Sequence, residues 1–76
     1  MPYYIVNRNA QSNGDHEVHI IPTPGLYCRS PQYPHPANQV PLGHHGACHG
    51  AVWKAKSLGY SSANGCAFCS LPCHTG

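Results

Sequence analysis

Residues Asn64 to Gly76 read N-G-C-A-F-C-S-L-P-C-H-T-G. Three of the chain's five cysteines and one of its seven histidines fall in these thirteen positions. Cys66 and Cys69 form a Cys-x-x-Cys, the spacing at which a tight turn aims two thiolates at one tetrahedral metal ion. Asn64-Gly65 ahead of it reads as the turn, since both residue types tolerate positive φ. Cys73 and His74 follow as a second donor pair. The segment predicts a miniature domain organised around zinc, with thiolate and imidazole as its ligands.

Composition supports that expectation. The chain has 76 residues, of which Leu, Ile, Val and Phe make up twelve while Pro and Gly contribute eight each. So few large apolar side chains leave a single small domain, spanning 1–76, marginal without a staple. A structural zinc ion contributes about 10 to 16 kcal/mol of binding energy that becomes folding energy. Disulfides are the rival staple. Five cysteines cannot all pair within one chain, and Met1-Pro2-Tyr3-Tyr4 opens no signal peptide, so reduced thiols, a metal and a cytoplasmic location are expected. No apolar run approaches the ~20 residues of a membrane span. Four Lys and Arg against two Asp and Glu give a formal charge of +2, too little for a patch that neutralises many phosphates.

Outward from the C-terminal motif, the chain predicts a small α+β zinc-stabilised domain with an N-terminal β-hairpin, a long Pro-rich loop, one α-helix and the C-terminal Cys-x-x-Cys turn. Tyr3 to Asn7 is β-branched and aromatic and reads as a strand. Asn13-Gly14 is a hairpin signal, and His16 to Ile21 is the returning strand, with His16, Val18 and Ile20 on one face and Glu17, His19 and Ile21 on the other. His19 reads equally as a half-exposed strand residue or as a metal ligand. From Pro22 to Gly43 six prolines predict an irregular loop that something must pin, and Cys28 is the natural pin.

The helix is expected over Ala47 to Leu58 with Gly59 as its C-terminal stop, and an apolar stripe at 48, 51, 52, 55 and 58 defines its buried face. Cys48 lies on that stripe, as a small buried hydrophobe or as a ligand. The opposite side carries His49, Trp53, Lys54 and Ser57, with Lys56 at the boundary. Trp53 either covers the edge of an undersized core or stacks on a partner. With the two lysines it forms the candidate surface for a nucleic-acid or protein partner.

The order of parts resembles the metal-binding domain at the front of Ada-type adaptive-response alkylation-repair proteins and related short bacterial zinc proteins. The parts are a strand ending in a histidine, a Pro-rich loop with Cys28, the run Asn-Gln-Val-Pro-Leu-Gly, an Ala-rich helix, Gly59-Tyr60 and Cys66-x-x-Cys69. The resemblance covers about residues 16 to 70. It implies one tetrahedral zinc held by His19, Cys28, Cys66 and Cys69. The eight residues between His19 and Cys28, the longer segment between Tyr60 and Cys66, and the added Cys73-His74 depart from the family pattern.

A closed four-ligand site of this type stabilises rather than catalyses, so a non-enzymatic zinc module that binds nucleic acid or protein is the leading expectation. The resemblance also implies an alternative, a zinc-bound thiolate that accepts an alkyl group. Cys69-x-x-x-Cys73-His74 departs by one residue from a haem-attachment signature, and a rubredoxin-like iron site would call for two Cys-x-x-Cys turns. Cys48, Cys73 and His74 are left as a partial second metal site, or as replacements within the first.

Overall fold

Tyr3–Asn7 forms strand β1, one of the two inner strands of a four-stranded sheet. The computed structural model describes residues 2–75, so the expected domain limits at 1 and 76 lie outside the described residues. Strand β2, His16–Ile20, pairs antiparallel with β1 in a register that sets Val6 opposite Val18 and Ile5 opposite His19. The polar connection turns at Gly14, whose φ of 90° suits a residue without Cβ. There the Gly14 N–H donates to the Gln11 carbonyl at 2.8 Å.

Strand β3, Gln39–His44, takes up the end of the stretch expected to be loop to Gly43, and it pairs antiparallel with β1. It is an outer strand, beside β1 at one edge of the sheet, which is where a residue without an N–H such as Pro41 is tolerated. Proline content therefore misled the reading from 39 onward. Before it the chain is irregular: a small turn bridges Thr23 and Leu26, and a 3-10 turn spans Pro36–Asn38.

Strand β4, Ala63–Gly65, replaces the expected Asn64-Gly65 turn. It runs parallel to β2 with Glu17 opposite Asn64 and Val18 opposite Gly65. Neither Asn64 nor Gly65 has positive φ. Glycine is required at 65 for space instead, since a Cβ there would lie 2.6 Å from both Cys73 Cβ and the Ser70 carbonyl oxygen.

Helix α1, Cys48–Ser57, follows the expected span. It closes with Gly59 at φ 107°, the Gly59 N–H donating to Lys56 O and the Tyr60 N–H to Ala55 O, both at 3.1 Å. That pair of bonds satisfies carbonyls left over at the helix end. Ala51 and Ala55 are fully buried, and with Cys48 they pack against Tyr4, Val6, Val18, Ile20, Leu42 and Ala63. Alanine on the packed face lets the helix approach the sheet closely, so a core with few aliphatics can still exclude water. Leu58, expected on the buried face, is exposed, and Trp53 is 72% exposed rather than covering the core edge.

A disulfide joins Cys48 to Cys73, 25 residues apart in sequence. The expectation of uniformly reduced thiols is thus corrected, and the odd count divides into one bonded pair and three free cysteines, Cys28, Cys66 and Cys69. No helix among the described residues is long and apolar enough to cross a membrane.

Candidate metal centre

His19 leaves the sheet near the end of β2, and Cys66 follows β4 on the neighbouring parallel strand. The Cys66 N–H donates to the Val18 carbonyl at 3.0 Å, extending the pairing one residue past β4. Parallel strands end on the same side of a sheet, so this register delivers His19 and Cys66 together. The Cys-x-x-Cys turn closes through a 2.8 Å bond from the Ser70 N–H to the Cys66 carbonyl, which brings Cys69 around. Cys28 arrives from the irregular segment. Tyr33 fastens that segment to β2, its hydroxyl donating to the Ile20 carbonyl at 2.9 Å and its ring centroid lying 5.1 Å from that of His19.

The structure therefore gathers His19, Cys28, Cys66 and Cys69, with one potential ligand atom from each lying within 4.8 Å of all the others. Cys28 Sγ is 3.6 Å from Cys66 Sγ and 3.6 Å from His19 Nδ1, and Cys69 Sγ is 3.8 Å from the same nitrogen. Donors placed about 2.3 Å (sulfur) and about 2.0 to 2.1 Å (nitrogen) from a common tetrahedral centre would be separated by roughly 3.8 Å for S···S and roughly 3.6 Å for S···N. The group has the dimensions to hold one ion.

Each sulfur also accepts a backbone hydrogen bond. The Ser30 N–H donates to Cys28 Sγ, the Phe68 N–H to Cys66 Sγ and the Ile20 N–H to Cys69 Sγ, all at 3.4 Å. Two of these come from the residue two places after the cysteine, so the loops around Cys28 and Cys66 share one local turn. Amides aimed at sulfur favour thiolate over thiol and orient it.

Three crowded sulfurs cannot all ionise without a cation. The hydrogen bond from Cys69, aided by His19 and nearby amides, pulls the Cys66 thiol well below its ordinary range. The same bond, together with burial, pushes Cys69 up, and burial pushes Cys28 up. A divalent ion at the centre of the cluster would favour three thiolates.

On its far side, the Nε2 atom of His19 is buried with no hydrogen-bond partner and sits 3.6 Å from Glu17 Oε1. Glu17 is itself buried, and desolvation raises its carboxyl above the usual range, the neighbouring Cys66 adding to the effect. With Nδ1 turned to the sulfurs, the Nε2–H is left facing a carboxylate that can orient the ring. Strand alternation puts Glu17 on the face of His19, a neighbour expected from the sequence but assigned no role there. That two-residue period was the signal that could have found it.

Cys73 and His74 stand apart from this cluster. Cys73 is held in the disulfide, and His74 Nδ1 pairs with the Gly65 carbonyl at 3.0 Å. Neither replaces Cys28 or His19, and the second grouping among the described residues contains His49, not His74, beside Cys48 and Cys73. Set against protein-family models, curated proteins and solved structures, the chain returns no match.

Proposed function

We propose that the chain is a structural zinc module in which His19 Nδ1 and the sulfurs of Cys28, Cys66 and Cys69 hold one Zn2+. The observation that carries this reading is the convergence of one imidazole and three sulfurs, each sulfur already accepting an amide, at separations suited to a tetrahedral ion. Three thiolates and an imidazole favour zinc over the oxygen-seeking Mg2+ or Ca2+. Four protein ligands leave no position for substrate water, so the metal staples β2, β4 and the irregular segment rather than catalysing. The exposed side of α1, with Trp53, Lys54 and Lys56, is the surface offered to a macromolecular partner. The small net charge of +2 favours a protein over a phosphate backbone there.

Elemental analysis of the purified chain tests the reading, with one zinc per chain expected. Removal by a strong chelator should abolish the dispersed amide NMR spectrum. A metal-free chain that keeps that spectrum would overturn the proposal.

The alkyl-acceptor chemistry suggested by the Ada-type resemblance is a second reading, favoured by one observation: Cys28 and Cys69 are only partly buried, so theirs are the sulfurs a reagent would reach. A methyl adduct confined to Cys28 or Cys69 after exposure to methylated DNA would establish it, and an unmodified chain would exclude it.

A further inference from the structure

Cys48, His49 and Cys73 lie outside the four-residue cluster, and the closed site makes no use of them. We infer that reduction of the Cys48–Cys73 disulfide opens a second, independent metal site, in which the two released thiolates and the His49 imidazole take up a Zn2+ ion. A potential ligand atom from each of the three residues already lies within 4.8 Å of the others. Breaking the S–S bond lets the sulfurs relax to the roughly 3.8 Å that two thiolates on one tetrahedral zinc ion keep.

The backbone on both sides stays in place without the bond. Cys48 and His49 begin α1, whose alanine face is packed on the sheet. Beyond Cys73, the chain is clamped to β4: the Thr75 N–H donates to Asn64 Oδ1 at 3.0 Å and Asn64 Nδ2 donates to the Thr75 carbonyl at 2.9 Å. His74 Nδ1 pairs with the Gly65 carbonyl close by. The thiols therefore remain facing each other after reduction.

Three protein donors leave a fourth position open, unlike the first site. His49 and Cys73 line a shallow pocket of about 320 Å³, with Trp53 and Lys56 also on its wall. That pocket gives the open position room for water or for a donor from another molecule. The chemistry balances with a dithiol reductant, which supplies two electrons and two protons and leaves as its own disulfide, and metal binding then releases the two thiol protons.

The test uses the full chain, loaded with zinc and divided into an oxidised sample and one reduced anaerobically with a phosphine, which competes weakly for metal. After desalting, zinc per chain should be higher by one equivalent in the reduced sample. His49→Ala, at an exposed position, should retain the zinc of the oxidised form and lose the added equivalent or bind it at least tenfold more weakly. A Cys48→Ser/Cys73→Ser double variant that keeps its first zinc should show no increment on reduction. Equal zinc in the two samples would overturn the proposal, as would an increment that His49→Ala leaves untouched. The reading is a difference, so an oxidised sample devoid of zinc would count against the structural module and not against this site.

Discussion

The Val18 carbonyl accepts the Cys66 N–H at 3.0 Å, and this one bond ties the sulfur-bearing end of the chain to the strand that carries His19. Val18 belongs to the core and is fully buried, as are His19 and Cys66. The proposed metal ligands therefore rest on the rigid sheet on one side and on an irregular loop, through Cys28, on the other. Loss of the metal should therefore release the loop and, with the staple gone, the sheet together with it.

Replacing Cys66 with serine should remove a ligand and leave a buried hydroxyl where a thiolate stood. Cooperative folding at neutral pH is expected to be lost, with zinc content falling below one half per chain, as read by thermal melts and elemental analysis. Cys28→Ser should behave alike in zinc content and in loss of cooperative folding, although Cys28 sits outside the sheet.

Glu17→Ala should weaken zinc binding by about 10- to 100-fold, the range seen when the partner that orients a metal-bound histidine is deleted. Competition with a chromophoric chelator measures it. An unchanged affinity would show that the 3.6 Å approach of Glu17 to His19 does not orient the ring.

Gly65→Ala should destabilise the fold by about 1 to 3 kcal/mol, the range for overpacking. The added methyl meets Cys73 Cβ and the Ser70 carbonyl at 2.6 Å, and backbone cannot move aside as a flexible side chain would. Gly14→Ala, where a Cβ meets nothing within 4 Å, tests the alternative cause, since only its φ of 90° resists substitution. Chemical denaturation of both variants separates steric from conformational cost.

Tyr33 predicts an alkaline limit. Burial, followed by the charge of Cys28 and Cys69, raises its hydroxyl above the ordinary 10.0. The unfolded chain therefore loses this proton first as pH rises. The contribution is fully present below pH 10 and fades as pH climbs through the folded-state value. Tyr33→Phe should flatten that limb of the stability curve. At neutral pH it should cost about 0.5 to 1.5 kcal/mol through loss of the bond to the Ile20 carbonyl.

Breaking the Cys48–Cys73 link by double substitution to serine should lower stability by about 2 to 4 kcal/mol, the usual contribution of a disulfide. The zinc proposed at the four-residue cluster should remain, because neither sulfur belongs to it. Denaturant midpoints with and without metal check both parts.

Local chemistry made much of this protein legible. β-branched and aromatic residues marked Tyr3–Asn7 and His16–Ile20, the stripe at 48, 51, 52 and 55 with Gly59 marked the helix, and Cys-x-x-Cys spacing marked Cys66 and Cys69, while His19 and Cys28 were candidates whose place beside them rested on the family resemblance. Those signals act over a few residues, so they survive without knowledge of the whole. Tertiary structure alone decided that Pro41 lies in an outer strand, that Asn64-Gly65 is extended beside β2 and that Cys48 finds Cys73. Each of these depends on which distant segment comes to lie alongside, and no spacing along the chain encodes that: partners 25 or more residues apart are chosen by the packing of the sheet against α1.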